Sequence, residues 1–556
     1  MREFAFLKRL LAFVLARNPL FFPTMALALF SAVLEVTAMS FLVPLADVAN
    51  SKSDLIGDGL ARTLLAALSV TPTVRATLML FLALLMARIL TQLASQSLTL
   101  RLGRQIQAQI ASQGLANVLK HVSLREIDAR TSGYFVSLAG DEAWRASGIV
   151  VSLLQLTVSM SLALLYFVTI ANYSPRAALA VAVFLGFALL CLLGAFGKSQ
   201  QLGRRMVAES QSLNSLFLDA INGLRAVRAF LAEDYVAKSY AAQIFGYART
   251  LFHIDILNAL GKLLPVLVLL AGAFGFLALN GLESGLDFAF ACTIVILLMR
   301  FFPVVGQCLG TLQLLVADSK AAKDVTEILH SPPQSLAVTG KELASPIRRV
   351  RLAGVRFAHD GKEPLFTALD LEFLRGRTYA IVGPSGTGKS TVADLLLNFY
   401  SIDGGLIEID GVPIEQISPA SLRKHVVLLG QHVTIFNDTV LNNVAFGGTS
   451  GVEEVRHACR LACVDEEIEA LPQGYETVLR YQGANLSGGQ RQRIGIARAL
   501  VRDPDVLILD ECTNALDETM RDRVIDNIVS HFRERIVIFI SHDRQIASRM
   551  NEIVTV

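Results

Sequence analysis

Apolar runs long enough to cross a bilayer recur through the first 320 residues of this chain, and no other feature restricts its fold so tightly. A hydrocarbon core of about 30 Å takes roughly 20 apolar residues in helical form. Only a helix or a closed barrel satisfies every backbone N–H and C=O there. Six spans are expected, at 20–46, 75–98, 147–171, 176–197, 256–280 and 286–311. Buried helices of a water-soluble domain have shorter apolar runs and rarely so many. Composition agrees, with 53% hydrophobic and 18% charged residues and a mean hydropathy of +0.51.

The segment before the first run, "MREFAFLKRLLAFVLARNP", alternates Arg2, Lys8, Arg9 and Arg17 with Phe4, Phe6, Leu10, Leu11 and Phe13. That pattern predicts an amphipathic helix on the inner membrane surface, over residues 1–18. No small-residue cleavage site follows it, which argues against a secretory signal. Lysine and arginine set the orientation. Arg101, Arg104, Lys120, Arg125, Arg130 and Arg145 lie between the second and third spans. Lys198, Arg204, Arg205, Arg225, Arg228, Lys238 and Arg249 lie between the fourth and fifth. Both long segments are therefore expected in the cytoplasm, with both termini, and the loop at 47–74 on the far side. The two excursions are helical in pattern, with tips near "SLREIDARTSGYF" and "NGLRAVRAFLAEDY" and Gly133 and Gly223 as turn points. Net charge is +2, so electrostatics call for no nucleic-acid partner. The six cysteines form no CxxC pair and are expected as buried thiols in a reducing compartment.

Near residue 320 the composition changes. The six-span region is assigned to 19–325, a polar, proline-containing linker to 326–346, and an α/β domain to 347–556. Gly383-Pro384-Ser385-Gly386-Thr387-Gly388-Lys389-Ser390 lies between the strand "TYAIVG" and the helix "STVADLLLNF". This is a phosphate-binding loop in the context it requires. Glycines let successive N–H groups face phosphate oxygens, and the helix N-terminus adds attraction for anions. Ser385, Gly386, Thr387, Gly388, Lys389, Ser390 and Thr391 are the candidate cradle. Lys389 suits the β- and γ-phosphates and the Ser390 hydroxyl suits Mg²⁺. Asp510, ending the apolar strand "DVLILDE", is a second candidate for Mg²⁺, and Glu511 for polarising an attacking water.

Between these lies "NLSGGQRQRIGIARAL", Asn485–Leu500. Its LSGGQ resembles the signature of ATP-binding cassette (ABC) ATPases. Gln431 in "LLGQHVTIF" resembles that family's Q-loop glutamine, "NALD" at 514–517 its D-loop, and His542 in "FISHD" its switch histidine. Six spans, two long cytoplasmic excursions and a following cassette resemble an ABC exporter half-transporter along nearly the whole chain. The resemblance implies an all-α six-span bundle followed by an α/β P-loop ATPase. It implies ATP and Mg²⁺ as cofactors, with Gln431 beside Ser390 and Asp510 at the metal. Two chains would sandwich two ATP molecules, Ser487, Gly488, Gly489 and Gln490 of one facing the P-loop of the other. The partner is then a second copy or a paralogous half-transporter. The loops near 124–136 and 223–235 resemble coupling helices, Gln431 would sense both the γ-phosphate and that docking surface, and Glu511 and His542 would reset the cycle. A bacterial inner membrane with the cassette in the cytoplasm is the implied location.

The chain departs from the family pattern in three places. His359 stands where a tyrosine often stacks on adenine, with Phe357 two residues earlier. Arg480, Tyr481 and Gln482 replace the usual Gly-Glu-Arg before the signature. The stretch after His542 is short, where the family continues through another strand and helix. For the substrate, ionisable residues inside spans are the candidates by default: Glu35, Arg88, Lys262 and Arg300. Glu35, Arg88 and Arg300 fall at similar mid-membrane depth and Lys262 nearer the cytoplasm. A structural Glu–Arg pair and an anionic headgroup site are both open. "LLMRFFPVV" around Arg300 is similar to the last span of lipid-linked oligosaccharide flippases. The expected function is export or flipping of an amphipathic anionic substrate, a lipid or lipid-linked glycan. A peptide or drug exporter and a non-transporting membrane ATPase regulator are the alternatives.

Overall fold

A computed structural model describes residues 5–41, 73–173, 175–280, 288–330, 340–359, 363–448 and 450–556. The chain divides into two units. One comprises residues 1–122 and 129–331, the other 123–128 and 332–556.

The first unit is all helix. After α1 (Ala5–Arg17) come six long helices: α2 (Phe21–Ser40), α3 (Val74–His121), α4 (Ala143–Tyr173), α5 (Pro175–Asn222), α6 (Glu233–Asn280) and α7 (Phe288–Ala317). Each carries one of the six expected apolar runs. Among the described residues, five are long and apolar enough to cross a membrane, and α5 contributes the shorter apolar stretch Pro175–Gly186. Leu82, Met86, Leu90 and Leu93 of α3 are exposed, as expected where the surrounding solvent is hydrocarbon. The loop expected at 47–74 lies, apart from its last two residues, outside the described residues.

Helices α3 and α5 run 48 residues each, far beyond a bilayer's thickness, and carry the basic excursions. Short helices Leu124–Asp128 and Leu224–Ala229 form the two tips. Gly223 flanks the second, as expected of a turn residue. Gly133 does not turn the chain: it sits inside the helix Ser132–Ser137, where a Cβ would come within 2.3 Å of Gln211 O and Ser215 N. It is a close-packing glycine against α5. A π-turn, Leu138–Glu142, then leads into α4.

The amphipathic helix α1 forms where the sequence places it, but its apolar face is not left for lipid. Leu10, Phe13 and Val14 are buried in a cluster with Leu102, Ile106, Ile149, Val325 and Ile328. The last two belong to α8 (Ser319–Leu329), so the stretch expected as a linker from 326 begins inside a packed helix. Elsewhere in the bundle, Gly306 and Gly310 of α7 let α6 approach closely: a Cβ on Gly306 would lie 2.3 Å from Lys262 O.

The second unit holds two sheets. An antiparallel one has the order β2-β1-β4-β5, from β1 (Arg349–Ala358), β2 (Pro364–Leu374), β4 (Gly404–Ile409) and β5 (Val412–Pro413). A parallel one has the order β6-β7-β8-β3-β9, from β3 (Arg377–Val382), β6 (Val426–Leu429), β7 (Val506–Asp510), β8 (Ile536–Ile540) and β9 (Glu552–Thr555). Its central strands "VLILD" and "IVIFI" are buried at every position. That explains their unbroken apolar runs: a parallel sheet is covered on both faces. A helix, Arg544–Ser548, and the strand β9 do follow His542, and β9 pairs with β3 beside the glycine loop.

Candidate functional site

Strands β6, β7, β8 and β3 lie side by side and end nearly flush. Leu429 pairs with Leu509, Asp510 with Ile540, and Ile540 with Ile381. Gln431, Glu511, His542 and Gly383 follow these strands within two residues. Parallel topology thus gathers four residues scattered over 160 positions at the carboxyl edge of one sheet, where open α/β sheets bind ligands.

Glu511 is the centre of that edge. Its Oε2 accepts from Gln431 Nε2 at 3.0 Å and Asn514 Nδ2 at 3.2 Å. Its Oε1 faces His542 Nδ1 at 3.3 Å, a contact that requires the proton on Nδ1. The backbone of Glu511 is left-handed, with φ 46°, while its N–H bonds Ile540 O at 3.0 Å. The adjacent strand therefore holds an unfavoured conformation in place. Asp510, one residue earlier, is buried and bonds the Ser390 hydroxyl; burial pushes its carboxyl above the usual range.

The glycine loop follows β3 and opens α9 (Lys389–Leu396). Gly386 and Gly388 have φ of 85° and 94°. A Cβ on Gly388 would also lie 2.6 Å from the Phe366 ring and 2.7 Å from Leu365. Lys389 is buried, its ammonium donating to the Gly383 and Pro384 carbonyls at 3.0 and 2.7 Å. The lysine thereby closes the loop on itself. Donors, a buried cation and the Ser390–Asp510 pair fit a nucleotide triphosphate and a hard divalent cation.

The signature begins α10 (Gly488–Leu500). Ser487 caps it, accepting from Gln490 N at 3.2 Å, while Gln490 Oε1 accepts from Ser487 N at 2.8 Å. The Gln490 amide also donates to Glu467 Oε2 at 2.8 Å, so in the single chain it orders the helix start. At the other end Arg498, which sequence reasoning passed over, ties α10 to the segment after Gln431. It donates to Asn443 O at 2.7 Å and Thr434 O at 2.8 Å and stacks on Phe436 and Phe446. Burial lowers its pKa to about 10. The "RAL" ending the signature helix was the available signal.

At the edge of β1 the two aromatic candidates separate. Phe357 is 2% exposed in the core of this unit, so it cannot face a base. His359 is partly exposed and sits edge-on to Tyr400 at 5.7 Å. Tyr400 was missed by sequence reasoning. Its hydroxyl donates to Asp128 Oδ2 at 2.6 Å, within the unit that Ser123–Asp128 joins. Asp394 on α9 is raised to about 6, by burial first and then by the charges of Asp510 and Asp128. Of the segment before the signature, Arg480 N bonds Asn485 Oδ1 at 3.0 Å and Gln482 is left-handed at φ 51°.

Two domain families match the chain: the ABC transporter transmembrane region over residues 21–301, and the ABC transporter domain over residues 366–514. The chain belongs to the ABC transporters. It is an integral membrane protein with a helical transmembrane domain followed by an α/β ABC ATPase domain. The ATP-dependent lipid A-core flippase of Desulfotalea psychrophila is 32% identical over 376 residues, 65% of this chain and 64% of that protein. The heterocyst differentiation ATP-binding protein HepA of Nostoc is 31% identical over 340 residues, 61% of this chain and 56% of that one. The ABC transporter thus spans less than two thirds of these relatives' lengths. The structure of a bacterial Atm1-family ABC exporter with ATP bound superposes with a TM-score of 0.81, at 24% identity, over 97% of this chain and 94% of that one. It shares the exporter fold.

The four ionisable candidates of this ABC transporter's spans separate as well. Arg88 donates to Glu35 Oε2 at 2.8 Å, and Tyr166 donates to Glu35 Oε1 at 3.2 Å. The pair lines a cavity of about 660 Å³ bounded by α2, α3, α4 and α7. Lys262 and Arg300 do not line it. Lys262 lays its stem over Gly310, where a Cβ would meet its Cγ at 2.8 Å, and Arg300 is exposed. Of the alternatives the sequence left open, the Glu–Arg pair forms, with Arg88 rather than Arg300. Cys308, Cys459, Cys463 and Cys512 are free thiols; the side chains of Cys191 and Cys292 lie outside those described.

Proposed function

We propose that this ABC transporter hydrolyses ATP to export or flip an amphipathic lipid or lipid-linked glycan through alternating access of a dimer. The convergence of Gln431, Asn514 and His542 on Glu511, beside a closed phosphate loop, carries the reading. Glu511 takes the proton of the attacking water; Gln431 and His542 orient its carboxylate. In the single chain Glu511 Oε2 accepts twice while Oε1 meets only His542, so Oε1 keeps acceptor capacity for the attacking water. Lys389 and the N–H groups of residues 385–391 hold the phosphates. Ser390, Gln431 and Asp510 would hold Mg²⁺, which neutralises charge on the β- and γ-phosphates. Partly exposed His359, with Tyr400 behind it, is the surface offered to adenine.

A dimer is supported by exposed apolar residues at the second tip. Phe230, Leu231 and Tyr235 are 82%, 86% and 76% exposed, and nothing in Leu224–Ala229 is buried. That tip suits docking on a second copy, whose Ser487, Gly488, Gly489 and Gln490 would complete the site. Exposed patches of this kind mark interaction surfaces. The lipid reading draws support from the lipid A-core flippase relatives. HepA and the ATP-binding cassette sub-family B member 6 relatives name no substrate. The basic excursions support a cassette in the cytoplasm, and the bacterial flippase relatives support a bacterial inner membrane. Reconstitution into liposomes with fluorescent lipids tests the proposal: ATP-dependent movement between leaflets is expected, and ATPase turnover with no movement of any lipid would reject transport.

A further inference from the structure

The 660 Å³ cavity of the membrane unit is walled by amides. Gln92 and Gln96 of α3, Gln155 of α4 and Gln307 of α7 all line it. All four fall inside apolar spans, where polar side chains are costly and face protein or a water-filled space. Gln92 and Gln96 stand one turn apart on one face, so three helices turn amides into one space. None of the four hydrogen-bonds another described residue. By contrast, the fifth glutamine of the wall, Gln107, already accepts from Arg104 at 3.0 Å.

The same wall carries two cations and one carboxylate. The Arg88 guanidinium is paired with Glu35 at 2.8 Å, and Arg104, the other cation, lies beyond the expected end of its span. Trp144, the chain's single tryptophan, lines the cavity and is 51% exposed. An amide has two donors and a carbonyl acceptor, and a sugar hydroxyl both donates and accepts. A phosphate only accepts, leaving the amide carbonyls unmatched, and calls for an uncompensated cation. An indole face covers the C–H face of a sugar ring. The volume lies within the roughly 300–1,000 Å³ typical of small-molecule sites.

We infer that this cavity recognises the uncharged, polyhydroxylated head of a glycolipid through Gln92, Gln96, Gln155 and Gln307. This rests on the transport reading above and names the part of the substrate that the wall selects. Any phosphate of such a substrate is then held outside the amide wall.

The test uses the full-length protein in phosphatidylcholine nanodiscs. ATPase is titrated with monogalactosyl diacylglycerol, with diacylglycerol lacking the sugar, and with phosphatidic acid. The galactolipid is expected to stimulate at a concentration about tenfold below either other lipid. In a Gln155→Leu, Gln307→Leu variant the half-effective galactolipid concentration is expected to rise about tenfold, the equivalent of about 1.4 kcal/mol, through two lost hydrogen bonds. Basal ATPase, the melting temperature and the weak phosphatidic acid response should not move. If the leucines impair folding, Gln96→Asn, which keeps the amide but withdraws it, is expected to shift the galactolipid response alone. Stronger stimulation by phosphatidic acid than by the galactolipid overturns the inference and leaves transport standing. So does an unchanged galactolipid response in every glutamine variant. No stimulation by any lipid and no lipid movement, with basal turnover intact, removes both.

Discussion

The cassette and the membrane bundle treat polar side chains in opposite ways. At the cassette's sheet edge nearly every functional group is closed on another: Glu511 on Gln431, Asn514 and His542, Lys389 on two carbonyls, Ser487 on Gln490. In the cavity wall of the bundle the Arg88–Glu35 ion pair is closed, and four amides are open. A closed network holds geometry before its ligand arrives, which suits chemistry at a fixed phosphate. An open one leaves hydrogen-bonding capacity for something that enters, which suits a cavity whose occupant changes place.

The largest effect should come from the closed network's centre. Glu511→Gln keeps the shape of the side chain but cannot take a proton, so ATPase is expected to fall about a hundredfold or more. Nucleotide binding, read by fluorescent ATP analogue, should be retained. Near wild-type turnover would mean that the network is merely structural. Next is Arg498→Ala, which strands the Asn443 and Thr434 carbonyls and unstacks two rings. It should cost about 3 kcal/mol of cassette stability, read as a lower denaturant midpoint of the full-length protein.

The closed Arg88–Glu35 pair of the cavity wall gives a smaller, sharper comparison. Single Glu35→Gln and Arg88→Gln changes each leave a partly buried charge unpaired. A double-mutant cycle on thermal stability is expected to show coupling of about 1–3 kcal/mol, the double variant recovering most of the loss. Additive losses would mark the pair as independent groups facing the cavity.

The smallest effect is a pH slope in the cassette. Asp394 has its pKa raised to about 6 by burial and by Asp510 and Asp128. The folded state therefore favours the protonated carboxyl. The stability this adds is complete below about pH 4 and lost as pH rises through about 6. Melting temperature should fall over that window in the wild-type protein, and less in Asp394→Asn; equal slopes would exclude Asp394 as their source.

Much of this protein was legible without coordinates because its signals are local. A run of 20 apolar residues states its own environment, and GPSGTGKS states a turn that only glycines can make. Asp510 and Glu511 were legible because a buried strand ends at them. Long-range placement was not. Gln431, Glu511 and His542 are 80 and 31 positions apart, and only the order β6-β7-β8-β3, fixed by crossover connections and register, sets them side by side. Phe357 and His359 have the same claim to adenine until β1 ends at Ala358, which keeps Phe357 buried within the strand and leaves His359 beyond it. Gly133 reads as a turn until α5 passes within reach of its missing Cβ. Arg88 and Arg300 sit at one depth in the sequence, but rotation about each helix axis decides which of them meets Glu35. Sequence spacing sets depth along a helix; tertiary packing sets which way each side chain faces.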